Sequence, residues 1–108
     1  MEKQFDVEGE RSERIWRGSF DNQLTVFVTR EKVDMGVKHT VRWDDVTKYI
    51  DGQNLPSDCA YVYKRDKWPE FLQKHDLAVP TGESRKEGGY EYEVFRFKLD
   101  RIEPYSIY

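Results

Sequence analysis

Cys59 is the one thiol of the chain, and His39 and His75 are its two imidazoles. A thiol becomes a nucleophile when a histidine within hydrogen-bond reach takes its proton. A lone cysteine inside Cys59-Ala60-Tyr61-Val62-Tyr63 is more often a small buried hydrophobe. No family signature surrounds it, so it is expected to be core rather than catalytic. Glu91 and Glu93 stand two positions apart, on one face of an extended strand, where paired carboxylates could share acid and base roles. Their polar and charged surroundings favour a solvated outer face. Metal binding would need clustered ligands, and neither CxxC nor HxxxH spacing occurs. Asp44-Asp45 reads instead as a helix N-terminus, and His75 as lying on a helix's packing edge. Gly82 and Gly88-Gly89 flank a charged stretch, but no GxxxxGK[ST] or GxGxxG phosphate loop is present. Neither a catalytic site nor a cofactor or metal is expected.

Rings interleaved with cations form the most informative pattern, in Tyr61-Val62-Tyr63-Lys64-Arg65-Asp66-Lys67-Trp68. Single-stranded nucleic acid is bound by this combination, bases on rings and phosphates on cations. Tyrosine, tryptophan and arginine are equally the residues that anchor protein interfaces. Charge decides the ranking. Lys plus Arg number 18 against 21 Asp plus Glu, a net charge of −3, whereas nucleic-acid-binding domains are usually basic. The first expectation is therefore a small soluble protein, non-enzymatic, acting by protein–protein interaction as a regulatory or accessory factor. Such proteins abound in bacteria, phages and mobile elements. The alternative is a single-strand nucleic-acid module using Tyr61, Tyr63 and Trp68 with Lys64, Arg65 and Lys67. An enzyme with an unrecognised site ranks third.

Tyr61 or Tyr63, Tyr105 and Tyr108 are the expected protein contacts, since strand and helix patterns leave them no inward role. Tyr105-Ser106-Ile107-Tyr108 could also pair along the sheet edge of a second copy, giving a homodimer. The positions of Trp16, Trp43 and Trp68 discriminate between core and surface. All three buried would mean core; one exposed beside cations would mark a binding face.

These residues must be held by secondary structure. Asp21-Asn22 reads as a turn between strands over Ile15–Phe20 and Gln23–Thr29, and Phe27 on the second face of the latter implies cover on both sides. Glu31 to Gly36 is a polar connection outside the tight two-residue classes. Val37, His39, Val41 and Trp43 then alternate with Lys38, Thr40 and Arg42, a half-buried strand with a basic outer row. A short helix follows, capped by Asp44 or Asp45, with Val46, Tyr49 and Ile50 as its apolar stripe and Gly52 beyond its end.

β-Branched and aromatic residues favour a strand over Cys59–Tyr63, although Ser57 could cap a helix there. A second helix is expected from about Asp66, with Pro69 in its first turn and Trp68, Phe71, Leu72 and His75 at helical spacing. Thr81–Gly89 reads as a mobile loop. Tyr90–Leu99 is the strongest strand, its large residues changing face near Val94 through a bulge or a change of packing partner. Ile102–Tyr108, broken by Pro104, reads as an edge strand.

The expected fold class is α+β. One small domain spans 1–108, mainly antiparallel sheet with two short helices on one face, and residues 1–14 are loosely held. Of its 108 residues, 36% are charged and 37% hydrophobic, a ratio that would suggest disorder but for an aromatic share of 15%. The single cysteine, the lack of a ~20-residue apolar run and the polar N-terminus point to the cytoplasm, away from membranes.

Overall fold

The computed structural model describes residues 4–6 and 12–105. Two antiparallel-based sheets account for most of them. The first holds β1 (Gln4–Asp6), β2 (Ser12–Phe20), β3 (Gln23–Asp34) and β4 (Val37–Asp45) in that order. A two-residue strand, β9 (Glu103–Pro104), joins β2 in parallel where β1 leaves off. The second sheet orders β5 (Thr47–Lys48), β6 (Cys59–Tyr63), β8 (Tyr90–Phe97) and β7 (Ala78–Glu87) as β5-β6-β8-β7. One helix, α1 (Trp68–Lys74), and a 3-10 turn at Leu99–Arg101 complete the described elements.

Three two-residue turns set the hairpins. Asp21-Asn22, Met35-Gly36 and Gly88-Gly89 all have positive φ at both positions, the conformation that matches the twist of the flanking strands. The connection expected over Glu31–Gly36 is thus a tight turn, because Glu31–Asp34 extends β3 and pairs with Val37–Thr40. Likewise the loop expected over 81–89 is mostly β7. Its polar residues suit an edge strand, and a register shift between Pro80 and Ser84 absorbs Gly82. The N-terminal expectation divides: residues 4–6 and 12–14 are paired strand, while 1–3 and 7–11 lie outside the described residues.

The expected α+β class with two helices is overturned, for the chain is mostly strand. Over 44–50 no helix forms. Asp44 and Asp45 stay extended opposite Val28 and Phe27, and the Val46 N–H donates to the Val26 carbonyl at 2.9 Å. The supposed stripe is dispersed: Val46 enters the main core, Ile50 a second cluster, and Tyr49 remains exposed. A two-turn helix gains little without a face to bury, so backbone pairing to β3 prevails.

The single helix matches its sequence signals. Pro69 occupies the first turn, and Trp68 and Leu72 are buried. At its end the Asp76 N–H donates to Gln73 and the Leu77 N–H to Leu72, with Asp76 at φ +56°. That is a Schellman stop with aspartate in the left-handed position.

The main core lies between the sheets. Ile15, Val26 and Val28 meet Val62, Phe95 and Phe97, and α1 adds Trp68 and Leu72. A second cluster, Ile50, Cys59, Tyr61 and Val94, fills the other face of the second sheet. The change of face expected in β8 is therefore a change of packing partner: Phe95 faces one cluster and Val94 the other, while pairing with β6 runs unbroken.

Candidate functional site

β2 and β3 place Trp16 opposite Phe27 and Arg14 opposite Thr29, and β4 places Trp43 opposite Thr29. These residues share the face of the first sheet turned away from the main core. Trp43 stacks on Phe27 with ring centroids 4.1 Å apart and planes 11° off parallel. Tyr105, carried in by β9, meets Trp16, Phe27 and Trp43 edge-on at 5.4, 5.1 and 5.4 Å. Offset and edge contacts of this kind satisfy the ring quadrupoles and fix each ring's orientation.

Polar groups brace the cluster from behind. Trp16 Nε1 donates to Thr29 Oγ1 at 2.9 Å, and the Arg14 guanidinium lies 4.3 Å over the Trp16 ring. Arg14 also bridges Glu31 on β3 and Glu103 on β9, at 3.2 and 3.4 Å. Arg14 is buried, so these bonds tie three strands together in a poorly screened setting.

Trp43 is nonetheless 48% exposed. Around it and the start of α1 lies a hollow of about 310 Å³ lined by the cations Arg42, Lys48 and Lys67 and the carboxylates Asp44, Asp45 and Asp66. Arg42 pairs with Asp44 at 3.1 Å, and Trp43 Nε1 donates to Asp45 at 3.2 Å. A rigid, half-exposed tryptophan is thereby framed by both signs of charge.

β4 departs from the strict alternation read in its sequence. A register shift at Arg30/Glu31 leaves position 41 without a partner, so side-chain parity changes along the strand. Trp43 joins the face of Phe27 and Thr29, whereas His39 and Val37 stand opposite Lys32 and Asp34. The expected buried row is not formed: Val37, His39 and Trp43 are exposed on a strand that pairs, among the described residues, with β3 alone.

The residues singled out between Tyr61 and Trp68 separate. Tyr61 and Trp68 are buried in the two clusters, so neither presents a ring to a partner. Lys67 covers the Trp68 ring, Nζ 4.7 Å from its centroid, and faces the Trp43 hollow. Tyr63 contacts Tyr90 at 5.5 Å and Tyr92 at 5.9 Å. With Arg65, Lys86 and Tyr90 it lines a second hollow, of about 300 Å³, at the hairpin end of the second sheet. Lys64 is bound to Glu91 at 3.4 Å, which also occupies one of the two carboxylates considered for acid–base work. Tyr105 belongs to the Trp43 cluster, and Tyr108 lies outside the described residues, as does the rest of the terminal segment expected to mediate a homodimer.

The thiol and the imidazoles remain apart in role. Cys59 is buried, its Sγ directed to Asp58 Oδ1 at 3.5 Å, and burial pushes the thiol pKa up, against the thiolate. His75 packs on Phe71 at 4.6 Å, where burial and then Lys74 lower its pKa. Among the described residues no three of His, Cys, Asp and Glu are grouped to hold a metal ion, and no helix is long and apolar enough to cross a membrane. Sequence patterning missed Trp16, Phe27 and Trp43 as a unit; Phe27 on the second face of its strand, read as a sign of cover on both sides, was the available signal. No family model, curated protein or solved structure matches this chain.

Proposed function

We propose that the chain, folded as one domain, is a non-catalytic binding module that recognises another protein through the Trp43 surface of its first sheet. Trp43 carries the proposal: half-exposed, stacked on Phe27 and bordered by charges of both signs. Tryptophan and arginine dominate interface energetics when they fill a partner's pocket at the centre of a dry contact. A ring already held on one face loses little conformational freedom on binding, so more of the contact energy appears as affinity. Three carboxylates beside three cations disfavour a polyanion and suit a partner bearing both signs. The buried free thiol of Cys59 suits a reducing compartment, and the cytoplasm is the proposed site of action.

Site-specific photo-crosslinking tests this. A photoreactive residue at Arg42, beside Trp43, should capture a discrete heterologous protein in native cells, and Trp43→Ala should abolish the capture. The same residue at exposed Glu83 on β7 serves as control. Capture at position 42 no greater than at position 83 overturns the proposal, and a product containing two copies of this chain would replace it with self-association.

A further inference from the structure

Two tryptophans share the outer face of the first sheet in different electrostatic settings. Trp16 is covered by a cation: the Arg14 guanidinium lies 4.3 Å over its ring and is held by Glu31 and Glu103 at 3.2 and 3.4 Å. Trp43 has the ring and the carboxylate of that arrangement without the cation. Its Nε1 donates to Asp45 Oδ1 at 3.2 Å, which fixes Asp45 at the rim of the ring. The register agrees, since Trp43 opposite Thr29 and Asp45 opposite Phe27 put both side chains on this face.

One side of the Trp43 ring is open. Phe27 stacks on the other side, its centroid 4.1 Å away. Tyr105 lies 5.1 Å from Phe27 and 5.4 Å from Trp43, nearly equidistant from two stacked rings, so it sits beside the stack and not over it. Among the described residues no cation lies over Trp43, and Asp45 makes no ion pair, whereas Asp44 is taken by Arg42 at 3.1 Å. The adjoining hollow holds three carboxylates and three cations, so no net positive field repels an incoming cation.

We infer that this surface reads an arginine of the partner protein, its guanidinium stacked on the open side of Trp43 and hydrogen-bonded to Asp45. The ring face attracts a cation, and a planar, weakly hydrated guanidinium lies flat on it while donating to a carboxylate at the rim. A compact, strongly hydrated ammonium cannot do both as well. This inference rests on the protein-binding role of the Trp43 surface and adds which side chain of the partner it recognises.

Heteronuclear NMR of the full chain tests it at the indole N–H resonances of Trp16, Trp43 and Trp68. N-acetyl-arginine amide should shift the Trp43 resonance saturably, with a Kd in the millimolar range for so small a ligand. Trp16 donates to Thr29 and Trp68 is buried, so their resonances should stay in place. The citrulline analogue, equally flat but neutral, should bind about fivefold more weakly, and the lysine analogue about threefold. Asp45→Asn keeps an acceptor for Trp43 Nε1 but carries no charge. Arginine should bind this variant about fivefold more weakly and lose its advantage over citrulline. Retained Trp16 and Trp68 resonances would verify that the variant stays folded.

No saturable shift at Trp43, equal binding of arginine and citrulline, or unchanged binding to Asp45→Asn overturns the inference. Photo-crosslinking from position 42 separates arginine recognition from protein binding itself. Capture that survives Asp45→Asn but is lost in Trp43→Ala overturns the arginine and leaves protein binding standing. Saturable arginine binding with no captured protein overturns protein binding and supports the arginine site alone.

Discussion

Arg17 Nε donates to the Ile102 carbonyl at 2.9 Å and shares its proton with the Leu99 carbonyl at 3.2 Å, while the Tyr105 N–H returns a bond to the Arg17 carbonyl at 2.9 Å. One β2 residue thereby holds the segment that delivers Tyr105 to the Trp43 cluster. Arg17→Met keeps the aliphatic stem and removes the donor. It should destabilise the protein by about 1–3 kcal/mol, the usual effect of stranding partly buried acceptors. Urea unfolding with an unchanged m-value would measure it, and a midpoint equal to wild type would show that solvent replaces the guanidinium.

Phe27 and Trp43 stack on each other yet should respond unequally to truncation. Phe27 is buried, and Phe27→Ala should cost about 3–5 kcal/mol. Trp43→Ala removes a ring already half in water and should cost about 1–2 kcal/mol. Partner capture should vanish in the Trp43 variant while it remains folded at room temperature. Equal stability losses would mean that Trp43 is structural.

Asp76 should confer a pH dependence on stability. The Lys98 hydrogen bond, with Arg101 nearby, holds its carboxyl below the ordinary carboxylate range. With a depressed native pKa, the unfolded chain binds more protons in acid. The stabilisation is therefore complete above the unfolded value of about 4 and disappears as pH falls through the native value. Asp76→Asn tolerates the left-handed backbone but cannot titrate. Its melting midpoint should lie below wild type at neutral pH and converge with it in strong acid, the gap narrowing with salt because the group is exposed. A gap that persists unchanged into acid would assign the effect to something other than the carboxylate.

Cys59 should be inert while the chain is folded. Burial raises its pKa and blocks access, so a thiol reagent should label it at the rate of opening rather than of thiolate attack. Labelling should accelerate steeply as urea approaches the unfolding midpoint. Rapid modification in buffer alone would instead show a reactive thiol and revive nucleophilic chemistry at this position.

Local patterning identified those segments whose neighbours in sequence are also their constraints. Asp21-Asn22 was legible as a turn, Cys59–Tyr63 and Tyr90–Phe97 as strands, and Trp68–Lys74 as a helix, because turn preference, β-branching and helical spacing agree there. Val46, Tyr49 and Ile50 have helical spacing too, but the N–H of Val46 is claimed by Val26 on another strand. No local pattern contains that bond. The same limit hid the Trp43 site. Its parity depends on an unpaired residue at position 41, and two of its four rings arrive from β2 and from beyond β9. Tyr105 and Lys67 were recognisable as contact candidates by type; which rings and charges would surround them was not.

The pairing of β9 with β2 also sets an order of events. Arg17 and Ile102 are 85 positions apart, whereas β2, β3 and β4 follow one another through two-residue turns. Short loops close quickly, and distant pairings carry a larger entropic barrier and form late. On a ribosome the N-terminal hairpins emerge first and can pair, while the C-terminal segment is still unmade. Tyr105 closes the cluster of Trp16, Phe27 and Trp43 as the final step, so a nascent chain displays the tryptophan before its four-ring setting is complete.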